Sequence, residues 1–223
     1  ATSSDPKISY IELWADRTPL LQKIVFEGEN LQREIELTSQ LHQYSTGPNR
    51  ENFNQYDQII KNVVSKLNQE FSEQDYPPSN HLDPNLVKAM AYVESKVGQY
   101  QALSGNYPAF PDVIQIADPR NPAIHTLNND GWVDPTTGQK AEEYTWTSKH
   151  ITIMDYEGKA KVTTVADSIY WGAVWLYHKA EAIKEDGSRS WRSWSEAVTR
   201  YNGGGDARYS KKVYDIYEKG DWK

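Results

Sequence analysis

Through most of this chain the apolar residues recur at spacings of three and four, a period that favours helices over an extended sheet. Tyr56, Ile60, Val63, Leu67 and Phe71 form one such stripe. Leu86, Met90, Val93 and Val97 form another, opened by Asp83 and Pro84 and closed by Gly98 as its C-terminal cap. Thr18 before Pro19 reads as a further helix start, with Leu20, Ile24, Leu31 and Ile35 on one face, and with the 56–71 stripe it predicts an antiparallel helical hairpin broken at 45–49. Asp167 or Ser168 is expected to cap a helix carrying Ile169, Gly172, Ala173, Leu176, Ala180 and Ile183. Ser193 and Glu196 match a capping box for a shorter helix that runs into "YNGGG", and Asp206 starts the last helix, with Tyr209, Val213 and Ile216 inward.

Prolines at 108, 111, 119, 122 and 135 rule out one long element over 99–165. The exception is "HITIMDYEGKAKVTTV", 150 to 165, where β-branched runs flank Glu157 and Gly158 and predict a small β-hairpin. The expected architecture is mainly α, with an N-terminal helical accessory region over 1–75 packed on a core domain over 76–223.

Composition narrows the function classes. With 8 Trp and 15 Tyr, the chain carries enough aromatic surface to offset the entropy of ordering, which argues for a globule. A formal net charge of −7 speaks against general binding to nucleic acid or anionic membranes, which relies on Lys and Arg; "RYSKK", 208 to 212, is the best local basic patch. No apolar stretch approaches the roughly 18 to 20 residues of a membrane helix, so no membrane insertion is expected. The absence of cysteine removes disulfides, thiolate zinc sites and cysteine nucleophiles. The chain starts at Ala without a signal-peptide pattern, compatible with a processed product or a module of a larger protein.

Within "MAYVESKVGQYQ", 90 to 101, Glu94 stands out. At about 100° per residue it projects about 20° from Val87 and about 40° from Met90, so its carboxyl leaves from the apolar stripe. It also falls in the last turn, where the helix's negative end and the loss of water both disfavour ionisation. Such a group can hold a proton near neutral pH and deliver it to a poor leaving group such as a sugar oxygen. The bland alternative is a glutamate that reaches solvent or pairs with Lys88 or Lys96.

The companions of Glu94 appear in order along the chain. "ESKVG" at 94 to 98, "PDVIQIADP" at 111 to 119, "SIYWGAVWL" at 168 to 176 and "AVTRYNGGG" at 197 to 205 together resemble the lytic transglycosylase and goose-type lysozyme superfamily. The resemblance covers roughly residues 82–118 and 168–219. It implies a lysozyme-like α+β fold, a helical bundle around a glycan groove, with 76–223 as catalytic domain. The implied activity is cleavage of the β-1,4 bond between N-acetylmuramic acid and N-acetylglucosamine in peptidoglycan, as a muramidase or a lytic transglycosylase.

By the same resemblance Glu94 is the catalytic acid, Ser95 its small polar neighbour, Gln115 a residue of the substrate groove, and Tyr201 and Asn202 the pair beside the acid. Gly203, following Asn202 at a helix end, offers bare backbone to an approaching polymer. Asp112 stands where the family has glycine, Val113 and Ile114 replace a Leu-Met pair, Ser168 replaces asparagine, and 119–165 is a longer insertion than simple members carry. A hydrolase needs a second carboxylate, and Asp112 and then Asp118 are the candidates, although Asp118 before Pro119 equally suits a turn or cap. The chemistry calls for no metal or organic cofactor. Peptidoglycan strands are the implied partner, along with an inhibitor or immunity protein if the chain is a delivered bacterial effector or phage module, and the bacterial periplasm or cell wall is the implied place of action.

Among other candidates, "NNDGWVDPTTG", 128 to 138, lacks the closing glutamate of a calcium loop and reads as a solvated turn. Trp171, Trp175, Trp191 and Trp194 are core candidates of which one or two could line the groove, and Tyr107, Phe110 and Trp132 lie in the loop-rich region where such a groove would open. The rival reading is a non-catalytic glycan-binding or structural module that keeps the fold.

Overall fold

The computed structural model describes residues 11–15, 18–22, 41–74, 76–99, 111–118, 120–142, 160–203 and 205–220, with 11–15 and 18–22 as backbone. The chain divides into two compact units, 1–41 and 42–223, so the division falls at 41/42 and not at the expected 75/76.

In the first unit β1 (Ile11–Ala15) pairs antiparallel with β2 (Thr18–Gln22), Trp14 opposite Pro19. This corrects the helix start expected at Thr18. Both strands of a two-stranded sheet are edges, so the missing N–H of Pro19 is tolerated there. The expected apolar face over Ile24, Leu31 and Ile35 lies outside the described residues, as do residues 150–159 of the hairpin expected at 150–165; of its second arm, 160–164 form no strand and Val165 already opens a helix.

The second unit is mainly helical. Among its described residues are α1 (Asp57–Ser72), α2 (Pro84–Ser95), α3 (Pro122–Asn128), α4 (Val165–Ala180), α5 (Trp194–Tyr201) and α6 (Tyr209–Lys219), with the short hairpin β3 (Glu181–Ile183) and β4 (Arg189–Trp191). No helix described is long and apolar enough to cross a membrane. The apolar stripe predicted on α1 is the buried one: Ile60, Val63, Leu67 and Phe71. Helix α4 is buried nearly all round and forms the axis of the unit, with α1 and α5 packed on it.

Helix ends follow local chemistry. Thr164 caps α4 through a capping box with Asp167, three residues ahead of the expected cap. Helix α4 stops at Ala180, earlier than expected, because the Asp186–Gly187 turn closes β3 on β4, and Ile183 is exposed on a strand. Helix α2 stops at Ser95: Lys96, Val97 and Gly98 all take positive φ, so the left-handed cap is Lys96, ahead of the predicted Gly98. A left-handed valine is uncommon, and Val97 is held there by full burial and by its N–H donating to Ala91 O (3.0 Å).

Helices α2 and α6 pack against each other. Asp83 links them: Oδ1 accepts from Asn85 N (2.8 Å) at the start of α2, and Oδ2 accepts from the Tyr217 hydroxyl (2.8 Å) near the end of α6. In mid-α2 the Lys88 side chain is wholly buried; its ammonium donates to His42 O (2.6 Å) and Asn54 Oδ1 (2.7 Å) and pairs with Asp57 (2.8 Å), pinning residues 42–57 to the helix.

Candidate active site

The end of α2, the 111–118 segment, the middle of α4 and the α5–α6 connection converge on one groove of about 390 Å³. Glu94, Gln115, Trp175, Tyr201, Asn202 and Gly203 line it. The convergence starts from two small residues one turn apart on α4. Ser168 Oγ donates to Asp112 Oδ1 (2.6 Å) and accepts from Ile114 N (3.1 Å), drawing the 112–116 segment onto the helix. At Gly172 a Cβ would stand within 2.7 Å of Ile114 Cβ, so only glycine admits so close an approach.

Glu94 is half-buried and makes no salt bridge among the described residues. The two lysines that the sequence offered as partners are engaged elsewhere: Lys88 with Asp57, and Lys96 over the Tyr92 ring, 4.0 Å from its centroid. Loss of water lifts its carboxyl from the ordinary 4.5 to about 7; the Tyr209 hydroxyl pulls the value down and the negative charge of Asp112 pushes it up. Tyr209 was expected only as an inward core residue of α6, and its hydroxyl near Glu94 is what the sequence left unseen. That hydroxyl is buried and makes no hydrogen bond of full geometry, so its effect on Glu94 is one of proximity.

The Tyr209 ring stacks on that of Tyr201, with centroids 6.0 Å apart and planes 7° apart. Burial first, then the charges of Glu94 and Asp112, hold the Tyr201 phenol well above its usual range and therefore neutral. Tyr201 shares the groove with Glu94, while the hydroxyl whose nearness lowers the carboxyl's pKa is that of Tyr209.

Gln115 adopts a left-handed backbone (φ 54°), and its amide nitrogen donates to Glu94 O (2.6 Å) while Asn121 Nδ2 donates to Gln115 O (3.0 Å). Asn202 Oδ1 accepts from Asp206 N (2.9 Å), and Gly203 faces open space. Ser95, expected to contact ligand, is buried: its hydroxyl donates to Val113 O (2.8 Å) and accepts from Gly98 N (2.7 Å), so it fastens the end of α2 to the 111–116 segment.

The two candidate aspartates are placed apart in role. Asp112 is buried, and both oxygens are occupied by Ser168 Oγ, Ile116 N (3.1 Å) and Ala117 N (2.7 Å). Burial raises its pKa, opposed chiefly by the Ser168 hydrogen bond. Asp118 makes a two-point pair with Arg120 (3.1 and 2.8 Å) and accepts its backbone N–H, which lowers its pKa and matches the turn alternative.

Of the tryptophans, Trp175 lines the groove and donates to Tyr201 O (3.2 Å), whereas Trp171 is core. Trp191 donates to Tyr76 O (2.9 Å) and Trp194 to His81 O (3.1 Å), away from the groove. Tyr107 and Phe110 lie outside the described residues. In the basic patch Lys211 pairs with Asp215 and Lys212 with Asp206, both at 2.6 Å, so much of its charge is neutralised. Among the described residues no cluster of His, Asp and Glu is arranged to hold a metal ion.

The arrangement can hold a proton on a carboxyl near neutral pH, facing a groove walled by aromatic rings, amides and bare backbone. No protein-family model, curated protein or solved structure matches the chain.

Proposed function

We propose that the chain is a peptidoglycan glycosidase of lysozyme-like fold that cleaves the β-1,4 bond between N-acetylmuramic acid and N-acetylglucosamine, with Glu94 as general acid. One observation carries this reading: a carboxyl raised to about 7 opens into a groove of about 390 Å³, with no cation paired to it among the described residues. A pKa near the working pH suits a group that must give a proton and then take one back.

Glu94 protonates the bridging oxygen as the C1–O bond breaks, leaving an oxocarbenium-like sugar. The C6 hydroxyl of that sugar attacks C1, its proton passes to the Glu94 carboxylate, and a 1,6-anhydro ring closes. Attack by water would call for a second carboxylate. Asp112 has both oxygens occupied and Asp118 is paired with Arg120, which favours the one-carboxylate route. With its amide nitrogen on Glu94 O, Gln115 keeps its carbonyl oxygen to accept from the glycan, and Asn202, with Oδ1 on Asp206 N, keeps its amide N–H to donate. The place of action on this reading is the bacterial cell wall, reached as a module of an effector or phage protein.

Purified peptidoglycan incubated with wild type and with Glu94→Gln tests this. The amide keeps the shape and loses the proton, so turnover is expected to fall at least about a thousandfold, and mass spectrometry should find 1,6-anhydro ends in the wild-type products. Equal turnover by both proteins removes Glu94 from the chemistry. Binding without turnover by both supports the non-catalytic alternative.

A further inference from the structure

A second groove, also of about 390 Å³, is lined by residues of the 112–118 segment and of the long insertion, and shares Gln115 and Asn121 with the groove at Glu94. Trp132 lines it as well. The indole lies flat on the His125 imidazole, centroids 4.5 Å apart and planes 2° apart, and the half-buried ring turns its remaining surface to the groove. Little about this tryptophan serves the core, since the ring face that is covered rests on a polar ring near the surface. It is nevertheless held firmly: Asp130 accepts from Trp132 N (3.0 Å) and bonds His125 Nδ1 (2.7 Å), Ala141 N donates to Trp132 O (2.9 Å), and Val133 bridges to Lys140. The wall common to both grooves is equally fixed, because Asn121 bonds Gln115 and Gln115 bonds Glu94.

We propose that this second groove is a distal sugar subsite, in which a neutral N-acetylhexosamine ring of the strand engaged at Glu94 stacks on Trp132. An immobilised indole with one face backed and the other surface open is a low-entropy platform for the apolar face of a pyranose. The polar wall selects the ligand's charge. Asp112, Asp118 and Asp134 line the groove against one guanidinium, Arg120, so it suits hydroxyl and amide groups and disfavours a carboxylated sugar or an acidic stem peptide. Trp132 thereby sets how long a glycan must be to bind well. The inference rests on the glycosidase reading for the strand's placement at Glu94, and on the second groove alone for the sugar it takes.

The test uses the full chain carrying Glu94→Gln, so that ligand is not consumed, and β-1,4-linked N-acetylglucosamine oligomers as probe. Calorimetry should find that added Trp132→Ala weakens binding of a hexamer about tenfold, while leaving a dimer unchanged. Trp132→Phe, which keeps a smaller ring, should fall between. In the chain with Trp132 intact, the hexamer should shift an indole N–H resonance that is missing from the Trp132→Phe spectrum, a readout independent of how well the alanine variant folds. An oligogalacturonate hexamer, carboxylated at every ring, should bind more weakly than the neutral one. The proposal is overturned if Trp132→Ala weakens dimer and hexamer alike, if the acidic hexamer binds as tightly, or if no neutral oligomer binds. Trp132-dependent binding alongside a wild-type chain that does not turn over peptidoglycan would remove the acid role of Glu94 and leave the subsite standing.

Discussion

Lys88 and Glu94 lie on one helix, less than two turns apart, and both are ionisable groups taken out of water, yet their surroundings are opposite. Around Lys88 the chain supplies a carboxylate, an amide oxygen and a main-chain carbonyl, all within 3.0 Å. Around Glu94 it supplies a neutral phenol and a second negative charge, and no paired cation among the described residues. On the proposed reading, burial is therefore not what separates a structural charge from a chemical one; the completeness of its partners is. A matched charge holds the fold together, and an unmatched one is left with a proton to trade.

The contrast can be broken first at Lys88. Replacing it with Met leaves Asp57, Asn54 and the His42 carbonyl without their shared donor, and urea unfolding should record a loss of about 3–5 kcal/mol. Little loss would mean that the match is worth no more than packing.

Glu94→Gln should act with the opposite sign. The glutamate titrates near 4.5 when unfolded and near 7 when folded, so the folded chain binds the proton more tightly. Its contribution to stability is full below about pH 4.5 and is lost as pH rises through about 7. The amide has nothing to lose: at about pH 8 the variant should be more stable than wild type by on the order of 2–3 kcal/mol, and at about pH 4 the two should coincide. Under the proposed chemistry the same titration sets the alkaline limb of kcat/KM, which should fall as pH passes about 7.

The smallest effect is expected at Tyr209. Its hydroxyl lowers the pKa of Glu94, so Tyr209→Phe should move that limb to higher pH, and Tyr201→Phe should move it less. A larger shift from Tyr201 would reverse the roles given to the two rings.

What could be read ahead of the structure follows from how local each signal is. The stripe on α1 and the Ser193–Glu196 capping box each lie within a few residues, and both are found as read; of the apolar face that carries Glu94, Leu86 and Met90 are buried, whereas Val93 is half-buried and Val97 falls beyond the helix end. The Thr164–Asp167 box was just as local, but Asp167 is itself a favoured cap residue; in the fold it is the third residue of the helix and its carboxylate accepts from the Thr163 and Thr164 N–H groups (both 2.9 Å). The strand at Thr18–Gln22 was missed because a proline after threonine opens a helix and an edge strand alike. Asp112 looked like a working carboxylate, but Ser168 and two backbone N–H groups take up both its oxygens at the edge of the second groove. Ser95 looked like a groove residue because polarity at a helix end does not disclose which way it faces, and Val113, distant in sequence, turns it inward. Tyr209 escaped for the same reason, its neighbour Glu94 lying more than a hundred positions earlier.

One carboxyl has a reach that its place at a helix start conceals. Asp83 caps the helix that carries Glu94 while gripping Tyr217 at the far end of the fold's last helix. A chain cut short before Tyr217 would unfasten the root of the helix that bears Glu94, so under the proposed chemistry damage at the tail would be felt at the carboxyl, with every groove residue still present in the sequence.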